Sequence, residues 1–217
     1  MKHRMELKHG LLKLYHKLIN RLNQNRLNNL NPSVISSNCM GGVMSHWLGL
    51  KFNSPFINLW MTNDDFLTAM EHFDEFIATP LVECHDASVD YPVGIGYMDT
   101  KVYFMHYKNW DEAIDKWEER KKRIDKNNMA VFLSNFRGVD AESKCDDDTV
   151  ITRFSKLDFK NKIIFVDRPF PQYKNCIYLK DYHPEKGINV FDLNKKDFYR
   201  RYIDQFDYVK FLNNLHN

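Results

Sequence analysis

The chain has 217 residues, 43% of them hydrophobic, enough to bury a core that needs neither disulfide nor metal staples. Its formal net charge is only +2, so no global basic field points to nucleic acid, and no stretch reaches the ~20 apolar residues of a spanning helix. Cys39, Cys84, Cys145 and Cys176 stand far apart with no C-x-x-C pair, which excludes the usual zinc and dithiol spacings and suits free thiols in a reducing compartment.

No secretory signal pattern is visible, so the expected location is the cytoplasm. Charge is unevenly spread. Residues 1–30 carry seven bases against the single acid Glu6, a net of +6, which leaves the remainder at −4. Within residues 3–30, Leu7, Leu11, Leu14, Leu18 and Leu22 recur at steps of three and four and predict one long basic helix. Two uses of that stripe stand side by side: a face packed across the domain, or a surface helix in peripheral contact with anionic lipid.

Ser33 to Ser37 reads as a buried strand, Asn38-Cys39-Met40-Gly41-Gly42 as a tight turn, and Val43 to Leu48 as a short helix ended by Gly49. A second strand is expected over Phe56–Met61. Thr62 with Asp65 three residues on has capping-box spacing and starts a helix running to about Ala78. Leu81–His85 predicts a short strand, Tyr91–Gly96 a turn, and Lys101–Tyr107 (KVYFMHY) a strand with alternating faces.

Asn109 to Ile124 is the clearest helix, with Asn109 and Glu112 at its start, acids in the first turns and bases in the last. Glu118–Lys122 and Glu119–Arg123 fall at i,i+4. Met129–Ser134 and Lys162–Val166 are continuous apolar runs of strand length, Asp146–Leu157 a helix, Cys176–Leu179 a last strand, and Lys195–Leu215 an aromatic helix with Phe198, Tyr202, Phe206, Val209 and Leu212 inward. Strands alternating with helices predict an α/β fold, Rossmann-like, with a mainly parallel sheet covered by helices. The expected organisation is a basic helix at 1–30 and two closely packed α/β parts at 31–127 and 128–217.

In such folds ligands sit at strand-to-helix turns, which directs attention to two loops. The Asn38–Gly42 turn would aim backbone N–H groups and a helix start at an anion, although it lacks Walker and dinucleotide spacings and also reads as a bare turn. Cys39 there is either a nucleophile or a small buried hydrophobe. His46, seven residues on, lies roughly 10 Å along the helix, too far to be its base. His106, with Tyr107, leaves the other strand just before a capped helix and is the best candidate base, with a helix cap as its plainer role. Asp65 is a candidate orienting or second acid–base group, and equally a cap. Asp146-Asp147-Asp148 matches a metal-binding Asp-x-Asp by letters only, and Arg120-Lys121-Lys122-Arg123 is explained by dipole and ion pairs. The candidate catalytic set is therefore His106, Asp65 and Cys39, the ligand-binding set Asn38, Gly41, Gly42, His46 and Tyr107, with no metal site expected and no cofactor specified.

NCMGG at Asn38–Gly42, LGLKFNSPFINL at Leu48–Leu59, YPVG at Tyr91–Gly94 and FMHYKNWDEAIDKWEERKKRI at Phe104–Ile124 together carry a likeness. The sequence resembles an uncharacterised bacterial family usually labelled exopolysaccharide biosynthesis protein, a domain-of-unknown-function family found among capsule and lipopolysaccharide genes. The resemblance implies a polysaccharide context and a transferase moving a sugar or acyl group from an activated donor to a glycan acceptor. It assigns no catalytic residue. A non-catalytic glycan- or nucleotide-binding partner of an assembly complex and a cysteine-dependent hydrolase stay open beside it.

Overall fold

The computed structural model describes residues 2–137, 146–197 and 199–216. Cys145 and Phe198 lie outside the described residues, as do the side chains of residues 2–9. In chain order the elements are α1 (Lys2–Arg26), β1 (Ser33–Ser36), α2 (Met40–Leu48), α3 (Asn63–Glu71), α4 (Phe73–Ala78), β2 (Val82–Cys84), β3 (Val93–Ile95), β4 (Lys101–Tyr103), α5 (Trp110–Lys121), β5 (Met129–Asn135), α6 (Asp147–Lys156), β6 (Lys162–Val166), β7 (Cys176–Tyr178), β8 (Leu193–Asn194), β9 (Arg200–Arg201) and α7 (Tyr208–Asn213).

The centre is a four-stranded parallel sheet in the order β1-β5-β6-β7. Residues alternate across it. Ile35, Val131, Leu133, Ile164 and Val166 face one cluster with side chains of α3, α5 and α6, while Val34, Ala130, Phe132, Ile163 and Phe165 face another with Met40, Met44 and Leu48 of α2 and Val209 and Leu212 of α7. Burial on both faces is why these strands read as unbroken apolar runs in the sequence. The expected α/β class, a parallel sheet flanked by helices, is what the chain adopts. β1 pairs directly with β5, so the expected division near residue 127 falls within one sheet. A three-stranded antiparallel sheet, β2-β3-β4, and a small β8-β9 pair complete the fold.

Several local expectations are corrected. Phe56–Met61 is not a strand: the Phe56 N–H donates to Ser54 Oγ, the Ile57 N–H to Pro55 O, and Asn58 takes φ 60°, which leaves an isolated antiparallel bridge from Trp60 to Tyr103. The KVYFMHY strand ends at Tyr103, where a turn begins. The helix from Thr62 breaks at His72 (φ −125°, ψ 46°) into α3 and α4. The C-terminal helix shrinks to α7, because Tyr199 at φ 59° and the β9 strand interrupt the aromatic repeat.

For α1, one of the two uses expected of the leucine stripe, packing across the domain, is set aside. Leu11, Leu14, Leu18 and Leu22 are exposed, and the helix docks through its polar side instead. Asn20 Oδ1 accepts from Arg201 at 3.0 Å, Asn23 Nδ2 donates to Tyr208 Oη at 3.2 Å, and Gln24 Nε2 donates to Trp47 O at 2.8 Å. A buried guanidinium must have acceptors, and that demand outweighs the leucine pattern in setting which side faces inward.

Candidate active site

The site is assembled where β1 leaves the sheet. Its exit is held by backbone bonds on both sides: the Ser37 N–H donates to Phe132 O (3.3 Å), and Ser37 O accepts from the Met61 N–H (2.9 Å). Asn38 then ties two strand ends together, its Nδ2 donating to Ser134 Oγ at 2.7 Å while its Oδ1 accepts the Met40 N–H at 3.0 Å. α2 starts immediately, close against the strand it came from. A Cβ at Gly41 would stand 2.9 Å from Ser36 Cβ and 3.0 Å from Val34 Cγ1, so glycine is required by packing there.

A second arm approaches from β4. Trp60 and Tyr103 exchange both backbone bonds (2.8 and 2.9 Å), which carries the end of β4 to the segment already stitched to Ser37. Phe104 is buried against Trp110 and Trp117, and its N–H donates to Pro92 O. The Tyr107 N–H returns to Phe104 O at 3.0 Å, closing a turn that leaves Met105 and His106 exposed at its tip.

The two arms meet at one contact: His106 Nε2 lies 3.1 Å from Cys39 Sγ. Cys39 occupies the N-cap position of α2 but makes no side-chain capping bond, so its thiol is not committed to the helix. Leu59 O and Met105 Sδ each lie 3.9 Å from the sulfur. Burial pushes the Cys39 thiol up from its ordinary value. That shift favours the neutral form of the thiol beside the imidazole.

Beside the pair, Tyr107 Oη donates to Ile57 O (3.0 Å) and accepts from Arg120 at 2.6 Å. Burial raises the Tyr107 phenol, Arg120 opposes that shift, and a charge on Cys39 adds to it, so phenol and thiol sense one another. Arg120 also stacks over the Phe52 ring at 5.3 Å. Asn58, half-buried at φ 60°, sets its Oδ1 3.4 Å from where a Gly42 Cβ would be, next to the first turn of α2. The N–H groups of Gly41 and Gly42 belong to that first turn, where no intrahelical acceptor exists. A hollow of about 570 Å³, with Glu83, Asp86, Asp90, Tyr91, Lys108 and Trp110 in its lining, reaches the loop at Lys108, and neither Cys39 nor His106 lines it.

The family described as Domain of unknown function (DUF1919) matches residues 11–213. The chain belongs to that family. It is also 34% identical over 209 residues to a protein of Haemophilus influenzae described as "Uncharacterized protein", covering 96% of this chain and 97% of that one.

In this DUF1919 chain the sequence-derived candidates separate into two groups. Cys39, His106, Asn38, Gly41, Gly42 and Tyr107 converge on the corner just described. Asp65 does not: Thr62 Oγ1 donates to its Oδ2 at 2.8 Å, its own N–H donates to Thr62 Oγ1 at 3.1 Å, and it lies by the backbone of Lys101, at the end of β4 remote from His106. Burial, aided by Asp64, raises its carboxyl against the pull of those bonds. His46 is exposed in the last turn of α2, at the far end of that helix from Cys39.

Asp146 caps α6 by accepting the Thr149 N–H at 2.8 Å, and Asp147 accepts from Asn135 Nδ2 at 2.8 Å. Among the described residues no group of three or more His, Cys, Asp or Glu side chains converges to hold a metal ion. Of the basic run, Lys121 pairs with Glu118 and Arg123 with Glu119, whereas Arg120 turns to Tyr107. Arg120 and Asn58 are the site residues that sequence reasoning missed. The Ser-Pro-Phe-Ile-Asn string before Leu59 carried a signal for Asn58, since asparagine tolerates the left-handed region.

Proposed function

We propose that this DUF1919 chain is a cysteine-dependent acyltransferase of bacterial surface-polysaccharide assembly. The single observation that carries the reading is the 3.1 Å approach of His106 Nε2 to Cys39 Sγ at the carboxyl edge of the parallel sheet. A thiol beside an imidazole suits acyl chemistry better than glycosyl transfer, because sulfur attacks carbonyl carbon readily and the thioester it forms remains reactive.

In the tautomer with its proton on Nδ1, His106 takes the thiol proton as Sγ attacks the donor carbonyl, then gives that proton to the departing group. The bond to the leaving group breaks and an acyl thioester on Cys39 remains. An acceptor hydroxyl next surrenders its proton to His106 and attacks the thioester, and Cys39 leaves with that proton. First-turn N–H groups of α2, left without intrahelical acceptors, would support the carbonyl oxygen. Arg120, held by Tyr107, suits an anionic group on the donor. The hollow beside Lys108, with Tyr91 and Trp110 to face a ring and Asp86 and Asp90 to accept from hydroxyls, suits a sugar. The likeness to exopolysaccharide proteins supports a glycan hydroxyl as acceptor.

Incubation with a panel of acyl-coenzyme thioesters, followed by intact-mass measurement, tests this. An acyl adduct on Cys39 that is absent in Cys39→Ala and discharges onto added oligosaccharide is expected. Release only as free acid would replace transferase by hydrolase. No adduct with any donor, together with equal thermal stabilisation of the wild type and Cys39→Ala by a ligand, would make the chain a binding partner and end the enzymatic reading.

A further inference from the structure

The exposed side of α1 carries an inference that stands apart from the chemistry at Cys39. Leu11, Leu14, Leu18 and Leu22 are 64%, 65%, 56% and 53% exposed, an unusual concentration of bare leucine on one stripe of a helix whose opposite side is bonded to the body. Leu18 and Asn20, the latter bonded to the buried Arg201, lie about 200° apart around the helix, so docking through Asn20 leaves Leu18 facing outward. Immediately beside the leucines runs a row of exposed bases: Lys13, Lys17 and Arg21 each precede Leu14, Leu18 and Leu22 by one position.

We propose that this stripe lies on an anionic lipid bilayer, with α1 in the plane of the interface, the leucines in the boundary of the acyl chains and the bases among the headgroup phosphates. Charge selects the occupant. Residues 1–30 carry a net +6, so a second copy of the same face would bring like charges together, whereas an anionic leaflet is complementary to both the leucines and the bases. Long basic side chains flanking an apolar stripe can lay their stems along it and keep their charges in the headgroups. No helix among the described residues is long and apolar enough to cross a membrane, so the attachment is to the surface. The anchoring would hold the rest of the chain, at a net −4, off the bilayer.

The test is flotation of the full chain with vesicles of phosphatidylethanolamine and phosphatidylglycerol, and with vesicles of phosphatidylcholine alone. Binding to the anionic vesicles only is expected, weakening as salt shortens the screening length. Leu14→Gln with Leu18→Gln should reduce the partition more than about tenfold, and Lys17→Gln with Arg21→Gln roughly fivefold for each base removed. All four positions are exposed, so far-UV circular dichroism and the melting curve should not change in either variant. Failure to float with anionic vesicles, equal flotation with neutral ones, indifference to both double variants, or a dimer in sedimentation that the leucine variant dissociates would each overturn the assignment.

Discussion

The two ends of α2 carry opposite kinds of polar centre. At its C-terminal end Trp47 covers the guanidinium of Arg201 at 3.6 Å, and that guanidinium is bound twice by Asp204 (2.7 and 3.1 Å), by Asn20 at 3.0 Å and by Tyr208 Oη at 3.4 Å. At its N-terminal end Cys39 and His106 share one contact, and among the described residues no further side chain orients His106. A centre whose donors and acceptors are nearly all satisfied inside the protein has nothing left to offer a ligand, and its role is to fix α1, β9 and α7 together. A centre with its hydrogen-bonding capacity unspent, on an exposed turn, is where chemistry can occur.

Substitutions should separate the two along both stability and reactivity. Arg201→Ala leaves the carboxylate of Asp204, its side chain only 9% exposed, without its cation, and should cost about 3–5 kcal/mol in urea unfolding while leaving Cys39 reactivity unchanged in the folded fraction. Replacing the pair by Arg201→Met with Asp204→Leu should recover most of that loss. If the single variant costs less than about 1 kcal/mol, the centre is not the clamp described.

Between the extremes stands Gly41, where an added methyl meets the backbone-anchored Cβ of Ser36. Gly41→Ala is expected to destabilise by about 1–3 kcal/mol and to slow Cys39 chemistry by displacing the start of α2. Unchanged stability would mean that the helix and strand can part without cost. The smallest stability effect belongs to His106→Ala, expected within about 0.5 kcal/mol of the wild type because the side chain is exposed. Its effect on acyl transfer should be on the order of 10²–10⁴-fold, the range of a lost general base.

What was legible in the sequence follows the range of the forces involved. β5 and β6 stood out because strands covered on both faces must be apolar throughout, and α3 and α5 because their caps are local: Thr62 accepts from Asp65 N–H, and Asn109 Oδ1 accepts the Glu112 N–H at 2.9 Å. The end of β4 was misplaced because alternation continues through Met105 and Tyr107, whereas the turn at Phe104 is fixed by Pro92 and the tryptophans of α5. The inward side of α1 stays open in the sequence for the same reason, since the acceptor demand of Arg201 comes from a residue 181 positions away from Asn20. Cys39 and His106 were each visible at a strand-to-helix turn. Their pairing depends on the Ser37–Met61 and Trp60–Tyr103 backbone bonds, which no local pattern encodes.

The central claim, that Cys39 and His106 work as a pair, is tested most directly by the pH dependence of iodoacetamide alkylation at each cysteine, resolved by peptide mass mapping. Burial raises the thiols of both Cys39 and Cys176, the latter to about 11, so both should be protonated and slow at acid pH. Of these two, Cys39 has the imidazole of His106 at 3.1 Å. The account predicts that Cys39 outpaces Cys176 across neutral pH, with a rate that climbs through pH 7 to 9 and falls at least about tenfold in His106→Ala. A rate at Cys39 that is the same with and without His106 would contradict it.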